Sequence, residues 1–102
     1  METKVPTTLH EALVLAQKAL TNSDLTVLRS RTREEASWTL HMTLGHELRN
    51  SLGLWTEAAS PLYEDMMQRL PGVLIVDGDT ASAALIDALW YEQRGSKELG
   101  ET

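Results

Sequence analysis

Five aliphatic residues spaced four positions apart constrain the fold of this chain more than any other feature. They are Ala36, Leu40, Leu44, Leu48 and Leu52. The spacing is close to the 3.6-residue repeat of an α-helix, around which such a stripe drifts by about 40° per step. Thr32 and Glu35 precede it with the spacing of a capping box. We therefore predict one long helix from Arg33 to about Ser51, apolar on much of its circumference and hence central.

Three further helices are predicted from local signals. The first begins after Thr8 and reaches about Leu20, and the third begins at Ser60-Pro61. The last runs from Thr80 to about Gln93 with Asp79 as its cap. Residues 24–30 are ambiguous and are compatible with one short helical turn. The predicted fold is all-α, with about four helices around a long central helix. One short extended segment, residues 73–76, lies between the third and the fourth.

Length and composition predict a single domain over residues 8–95. The chain has 102 residues and no cysteine, which excludes disulfides and cysteine-based metal sites. Residues 1–7 and 96–102 are mostly polar, and we expect them to be flexible. The sequence has neither a run of apolar residues that could span a membrane nor a signal peptide. We therefore expect a cytoplasmic protein with no membrane association.

The net charge of −6 lies entirely in the second half of the chain. Residues 1–50 carry six acidic and six basic side chains, whereas residues 51–102 carry nine acidic and three basic ones. Such a chain repels duplex nucleic acid unless basic residues are concentrated locally. The arginines at 29, 31 and 33 are followed at once by Glu34 and Glu35. The charge pattern disfavours a nucleic-acid partner and leaves open an acidic surface that docks on a basic one.

A ridge on the predicted long helix is the strongest candidate site. His41, Gly45 and Arg49 are spaced four apart and would share one helix face. A mid-helix glycine costs about 1 kcal/mol relative to alanine, so a close approach to the backbone is expected there. In the structural interpretation, Gly45 admits a crossing helix, His41 is a hydrogen-bonded core residue and Arg49 pairs with an acidic residue of the second half. In the functional one, Arg49 and His41 hold an anionic group with Trp38 or Trp55 as a wall.

Other motifs give no support for metal or catalytic chemistry. His46-Glu47 begins like the zinc-protease motif, but Asn50 stands where its second histidine would be. Asp77 and Asp79 flank a glycine and are explained by a turn that leads into a helix cap. No nucleophile with an adjacent base, phosphate-binding loop or dinucleotide turn is present. We therefore predict no metal site, no cofactor and no catalytic residues, although a small hydrolase stays open as the least favoured alternative.

The segment 41–55 resembles an uncharacterised family of small bacterial and phage-type domains. The shared pattern is a histidine, then Leu-Gly, then aliphatic-Arg-Asn, then Gly-Leu-Trp, and it matches His41, Gly45, Arg49, Asn50 and Trp55 at the same spacing. A looser likeness covers residues 79–86, at the start of the last helix. The resemblance implies that these five residues belong together. It implies no activity, because the family has no function to carry over.

Two functions are therefore kept beside each other. The first is a non-enzymatic accessory protein of phage or mobile-element type with a role in counter-defence, which would sequester a small anionic ligand such as a nucleotide signal. Its ligand-binding residues would be Arg49, His41, Trp38, Trp55, Asn50 and Gly45. The second is an acidic inhibitor or immunity-type protein that blocks a basic site on a partner protein. A homo-oligomer is expected in either case, because residues 73–76 and the pair Trp90-Tyr91 exceed what four short helices readily bury.

Overall fold

The computed structural model describes residues 5–70 and 72–93, which are all-helical and contain no strand. The predicted all-α class is confirmed. The described residues form six α-helices, with a 3-10 turn at Glu57–Ala59 before the fifth. The helices are α1 (Leu9–Ala19), α2 (Asn22–Ser30), α3 (Arg33–His41), α4 (Leu44–Ser51), α5 (Ser60–Arg69) and α6 (Gly78–Gln93). Of the predicted flexible termini, residues 1–4 and 96–102 lie outside the described residues, and Pro6 is buried.

The predicted long helix is in fact two helices. α3 ends at His41, residues 42–43 form a turn, and α4 begins at Leu44. A stripe drifting by about 40° per step would rotate by about 160° over its four steps on one straight helix. The break changes the direction of the chain, and all five aliphatic side chains of the stripe stay buried. The break between α3 and α4 therefore allows all five aliphatic residues to face the same core.

The central helix is α6 and not the segment 33–51 predicted for that role. It packs against α1, α2, α3 and α4. Its buried residues are mostly small or aliphatic: Ala81, Ser82, Ala84, Leu85, Ile86 and Leu89. Small side chains on several sides allow neighbouring helices to approach its backbone closely, which explains the central position. In place of four helices around the segment 33–51, the described residues have four helices packed against α6 and a fifth, α5, packed against α1.

The second helix was missed by the sequence analysis. Residues Asn22–Ser30 form α2, where the sequence is ambiguous and compatible with one short helical turn. Thr21 and Asp24 make a complete capping box: the threonine hydroxyl accepts from Asp24 N–H, and the carboxylate accepts from Thr21 N–H. Leu28 anchors the helix in the core with no exposed surface. A hydroxyl followed by a carboxylate three residues later was the available signal.

The predicted extended segment lies between α5 and α6 and is a loop. Of residues 73–76 only Ile75 is buried, so one side chain fastens the loop to the core. Asp77, and not Asp79, caps α6, because its Oδ1 accepts a hydrogen bond of 2.9 Å from Thr80 N–H. This frees the Asp79 side chain for a different contact. Within the described residues, no helix combines the length and apolar character that crossing a membrane requires.

Candidate functional site

Arg49 is the one charged side chain buried among the described residues, with 5% of its surface exposed. It projects from α4 toward the first turns of α6. Its Nη1 donates to Ser82 Oγ over 3.1 Å, and its Nε lies 3.4 Å from Asp79 Oδ1. The Nε–H finds no hydrogen-bond partner among the described residues, so Asp79 interacts with it as an opposite charge only. A buried guanidinium is stable only when such partners compensate its lost hydration.

Gly45 makes room for this arginine. It lies one turn before Arg49 on α4, and a Cβ atom there would be 3.1 Å from Arg49 Nη1. Ile86 Cδ1 of α6 would be 3.7 Å from the same atom. The sequence predicted a close approach at Gly45 by a crossing helix. The closest side-chain atom belongs to Arg49, which occupies the space between the two helices.

Ser82 and Asp79 hold the arginine from the other side. Ser82 is fully buried and its hydroxyl donates to the backbone oxygen of Asp79, so it accepts from Arg49 while staying within its own helix. Asp79 has 56% of its side chain exposed. Pairing between Arg49 and an acidic residue of the second half is the arrangement of the structural interpretation. The role of Ser82 was missed, because a serine inside a helix gives no distinguishing signal.

Trp55 lies over this cluster with 58% of its surface exposed. Arg49 Cζ is 5.5 Å from its ring centroid, a cation–π distance. A Cβ atom at Gly78 would be 3.2 Å from Trp55 Cε3 and 3.3 Å from the backbone oxygen of Leu54. The indole therefore rests on the backbone of α6 at Gly78 with Arg49 beside it. The sequence pattern predicts a turn residue at Gly78, and no local signal indicates its contact with Trp55.

The outer side of Trp55 opens onto a surface that we call the acidic tryptophan surface, formed by Trp55, Val76, Glu57, Asp77 and Asp79. The first four line a cavity of about 260 Å³. Hydrogen bonds from the backbone N–H and hydroxyl of Thr80 lower the pKa of Asp77, which keeps it ionised. Among the described residues, those that line the cavity include no lysine, arginine or histidine. The surface therefore combines one large aromatic ring with several negatively charged carboxylates.

Tyr63 supports the floor of this cavity. Its hydroxyl donates to the backbone oxygen of Leu54, the residue before Trp55. Burial, with a smaller contribution from the negative charge of Asp77, raises the pKa of Tyr63, so the phenol stays protonated and remains a donor. The sequence analysis did not single out Tyr63. It fixes the chain at the point where Trp55 leaves the core.

The predicted ridge is not continuous, because the break at residues 42–43 separates His41 from Gly45 and Arg49. His41 and Trp38 line a different cavity, of about 290 Å³, between α3 and α6. Trp38 is 85% exposed. Gly45, Arg49 and Trp55 are thus brought together, whereas His41 and Trp38 belong to another face.

Asn50 is exposed, and its Nδ2 lies 3.1 Å from Nε2 of His46 one turn earlier on α4. This places the asparagine on the outer side of the helix, away from the buried guanidinium. The part of the chain that the structure describes holds no group of three histidine or carboxylate side chains placed to bind a metal ion. The tryptophans predicted for the site therefore lie on two separate surfaces, one around Trp55 and one around Trp38.

Comparison with known proteins identifies a family. No curated protein and no solved structure matches the chain. A family model described as a domain of unknown function, DUF6794, matches residues 5–93. The match covers all six helices and includes both the Arg49 cluster and the acidic tryptophan surface. The chain therefore belongs to the DUF6794 family.

Proposed function

We propose that this protein is a non-enzymatic interaction protein that binds a basic segment of a partner protein through its acidic tryptophan surface. The observation that carries the proposal is the state of Trp55, which is largely exposed and yet held in place from beneath. Arg49 lies at cation–π distance from the ring, and Gly78 lets it approach the α6 backbone. Tryptophans of this kind dominate binding energy at protein interfaces.

A tryptophan fixed before binding is an effective anchor. Ordering a side chain at an interface costs about 0.5–1.5 kcal/mol, and this cost is reduced when neighbours have already fixed the side chain. Val76, which is 62% exposed, lines the same cavity and adds apolar area beside the ring. An exposed aromatic next to an exposed aliphatic residue provides apolar area that a partner can cover. Trp55 and Val76 therefore offer an apolar contact area to a partner protein.

The charges select the chemistry of the partner. Glu57 and Asp77 line the cavity beside Trp55, and Asp79 extends the negative potential toward Arg49. A lysine or arginine of a partner can place its cation over the indole face and its donors on the carboxylates. The whole chain has a net charge of −6, which steers a basic partner toward it from a distance. An acidic partner would be repelled on both counts.

Coverage of a basic site on another protein is the mode of action that this surface supports best, as in an inhibitor or immunity-type factor. Electrostatic complementarity of this kind accelerates association and excludes wrong partners. A cytoplasmic location and an origin in bacteria, phages or mobile elements belong to the same proposal. The motif that contains Gly45, Arg49 and Trp55 belongs to the proposal as well, with Gly45 and Arg49 holding Trp55 in place.

Titration with hexa-arginine tests the proposal directly. We expect the peptide to shift the indole N–H resonance of Trp55 in NMR spectra, with binding that weakens as salt rises. Trp55→Ala should reduce the affinity by about 2 kcal/mol or more, as for an interface hot spot. Trp38→Ala is the matched control, because Trp38 is the other strongly exposed tryptophan. It should leave binding unchanged.

A charge variant completes the test. Glu57→Gln removes an exposed carboxylate that lines the cavity, and Glu64→Gln removes an exposed one that does not. Both change the net charge equally, so only Glu57→Gln should weaken hexa-arginine binding, by about 0.2–1 kcal/mol. Equal effects of the two variants, or full binding by Trp55→Ala, would show that the peptide responds to overall charge and not to this surface.

The second candidate function is capture of a small anion by Arg49. It is favoured by one observation: the buried Nε–H of Arg49 has no hydrogen-bond partner among the described residues. An anion would have to displace Asp79, whose carboxylate already lies 3.4 Å away. Thermal unfolding with inorganic phosphate and with AMP distinguishes the two functions. Stabilisation of the parent that disappears in Arg49→Met would favour anion capture over the protein partner.

A further inference from the structure

A second face of the molecule lies across α3 and α6. Two cavities, of about 290 and 480 Å³, meet on it and share Arg33 and Asp87 in their walls. The smaller is bordered by Trp38 and the larger by Leu74, two of the most exposed large apolar side chains among the described residues. We call this continuous surface the α3–α6 face. It shares no lining residue with the cavity beside Trp55.

On the α3–α6 face, one projecting side chain lies beside a groove. Trp38 exposes 85% of its surface on one side of the Arg33–Asp87 pair. On the other side, the α6 residues Ala83, Ala84 and Ala88 line the larger cavity, and Leu74 and Tyr91 border it. Small side chains leave the groove open for a bulky one. A surface that carries both a projection and a groove can match a second copy of itself when a two-fold axis relates the two.

We propose that the α3–α6 face is the contact of a symmetric homodimer, in which Trp38 of each copy enters the alanine-lined groove of the other. This interaction is independent of the binding of a basic partner at the acidic tryptophan surface. It gives the molecule two functional faces, one for its own copy and one for a different protein.

The α3–α6 face carries charges of both signs, from Arg33, Glu34 and Asp87. Arg33 Nη1 and Asp87 Oδ2 are 3.5 Å apart where the two cavities meet. A two-fold contact brings together two arginines and four carboxylates, so Arg33 of each copy can pair with Glu34 or Asp87 of the other. The acidic tryptophan surface, with carboxylates only, would repel a second copy. Burial outweighs Arg33 and raises the pKa of Asp87, so this carboxyl is already partly desolvated before any contact forms.

The apolar content is also suited to association. A tryptophan contributes roughly 150–250 Å² of contact area, and a stable interface needs about 800 Å² from each partner. Trp38, Leu74, Val73 and Tyr91 place exposed apolar surface together on one side of the molecule. An exposed patch of this composition on a small acidic protein indicates an interface.

Sedimentation equilibrium of the full chain at tens of micromolar tests the proposal. We expect about twice the chain mass of 11.4 kDa, with dissociation on dilution. Trp38→Ala and Leu74→Asp should each weaken self-association by roughly tenfold or more. Val76→Asp is the matched control. It introduces the same charge at another largely exposed aliphatic residue of the same loop, which lies on the acidic tryptophan surface.

The results of this experiment distinguish a second copy of the chain from other occupants of the α3–α6 face. Self-association lost in Leu74→Asp and kept in Val76→Asp supports the proposal. A parent that sediments at 11.4 kDa throughout would overturn it. So would equal losses in the two variants, because the effect would then follow net charge and not position. Hexa-arginine binding by Leu74→Asp reports on the other face, so failure of either proposal is distinguishable from failure of both.

Discussion

Gly45 and Arg49 lie one turn apart on α4. Because Gly45 has no side chain, the guanidinium of Arg49 can lie beside its backbone. A Cβ atom at Gly45 would be 3.1 Å from Arg49 Nη1, the atom that donates to Ser82. This contact is closer than an ordinary van der Waals contact, so an added methyl group would displace the buried arginine. A substitution at Gly45 should therefore change the free energy of unfolding through its effect on the buried guanidinium of Arg49.

A double-mutant cycle measures this coupling. Gly45 is the second residue of α4, so alanine there gains at most the roughly 1 kcal/mol that it gains over glycine in a helix interior. We expect Gly45→Ala to lose that gain in the parent, because the methyl group displaces Nη1 from Ser82 Oγ. The gain should return in an Arg49→Met background. Urea unfolding of the four proteins gives the coupling free energy, which should be about 0.5–3 kcal/mol. Additive effects would contradict the contact.

The Arg49–Asp79 pair should respond unequally to loss of either partner. Arg49→Met removes a hydrogen bond to a charged group, worth about 1.5–3 kcal/mol, and leaves Asp79 with access to water. Asp79→Asn leaves a buried cation without its counter-charge, which is the costlier situation. We therefore expect Asp79→Asn to lower the free energy of unfolding more than Arg49→Met. Urea denaturation measures both, and the reverse order would mean that the arginine is solvated.

Gly53 and Gly72 form a matched pair for a steric test. Both have positive φ, +66° and +82°, so alanine at either position should cost about 1–2 kcal/mol of backbone strain. At Gly53 the new Cβ would also lie 2.8 Å from Val5 Cγ2, whereas at Gly72 no described atom beyond its chain neighbours would lie within 4 Å. Gly53→Ala should therefore cost more than Gly72→Ala by about 1–3 kcal/mol of overpacking. A Val5→Ala background should abolish the excess measured by thermal unfolding.

Asp65 makes stability depend on pH in the acid range. Its Oδ2 accepts the Leu9 N–H at the start of α1 over 2.7 Å, and Arg69 adds a smaller contribution; together they lower its pKa. A lowered folded-state pKa gives stability that is fully present above the ordinary value of 3.8. That stability is lost as pH falls through the lower folded-state value.

Asp65→Asn should therefore reduce stability at neutral pH and flatten its decline in acid. Glu64→Gln is the control, because Glu64 is the exposed neighbour in the chain. Urea unfolding at a series of pH values between neutrality and the acid limit provides the measurement. A parent-like acid dependence in Asp65→Asn would place the pH-sensitive group elsewhere.

Sequence alone determined the helical class and the helix starts that depend on neighbours in the chain. The capping box at Thr32 and Glu35 and the hydroxyl cap at Thr8 form as predicted, because their hydrogen bonds join residues three apart. The stripe from Ala36 to Leu52 is buried, because its period matches a helix and its side chains avoid water. The candidate Arg49 also emerged from sequence, since an arginine one turn after a mid-helix glycine is a local pattern.

Tertiary structure decided what depends on residues far apart in the chain. The break at residues 42–43 serves the packing of α3 and α4 against α6, and no local signal marks it. The same packing separates His41 from Arg49 and places Ser82 of α6 against the guanidinium, 33 positions further along the chain. Trp55 rests on the backbone of α6 because Gly78, more than twenty residues later in the chain, has no side chain to prevent it. Such contacts are set by how whole helices fit together, a property that helical periodicity does not contain.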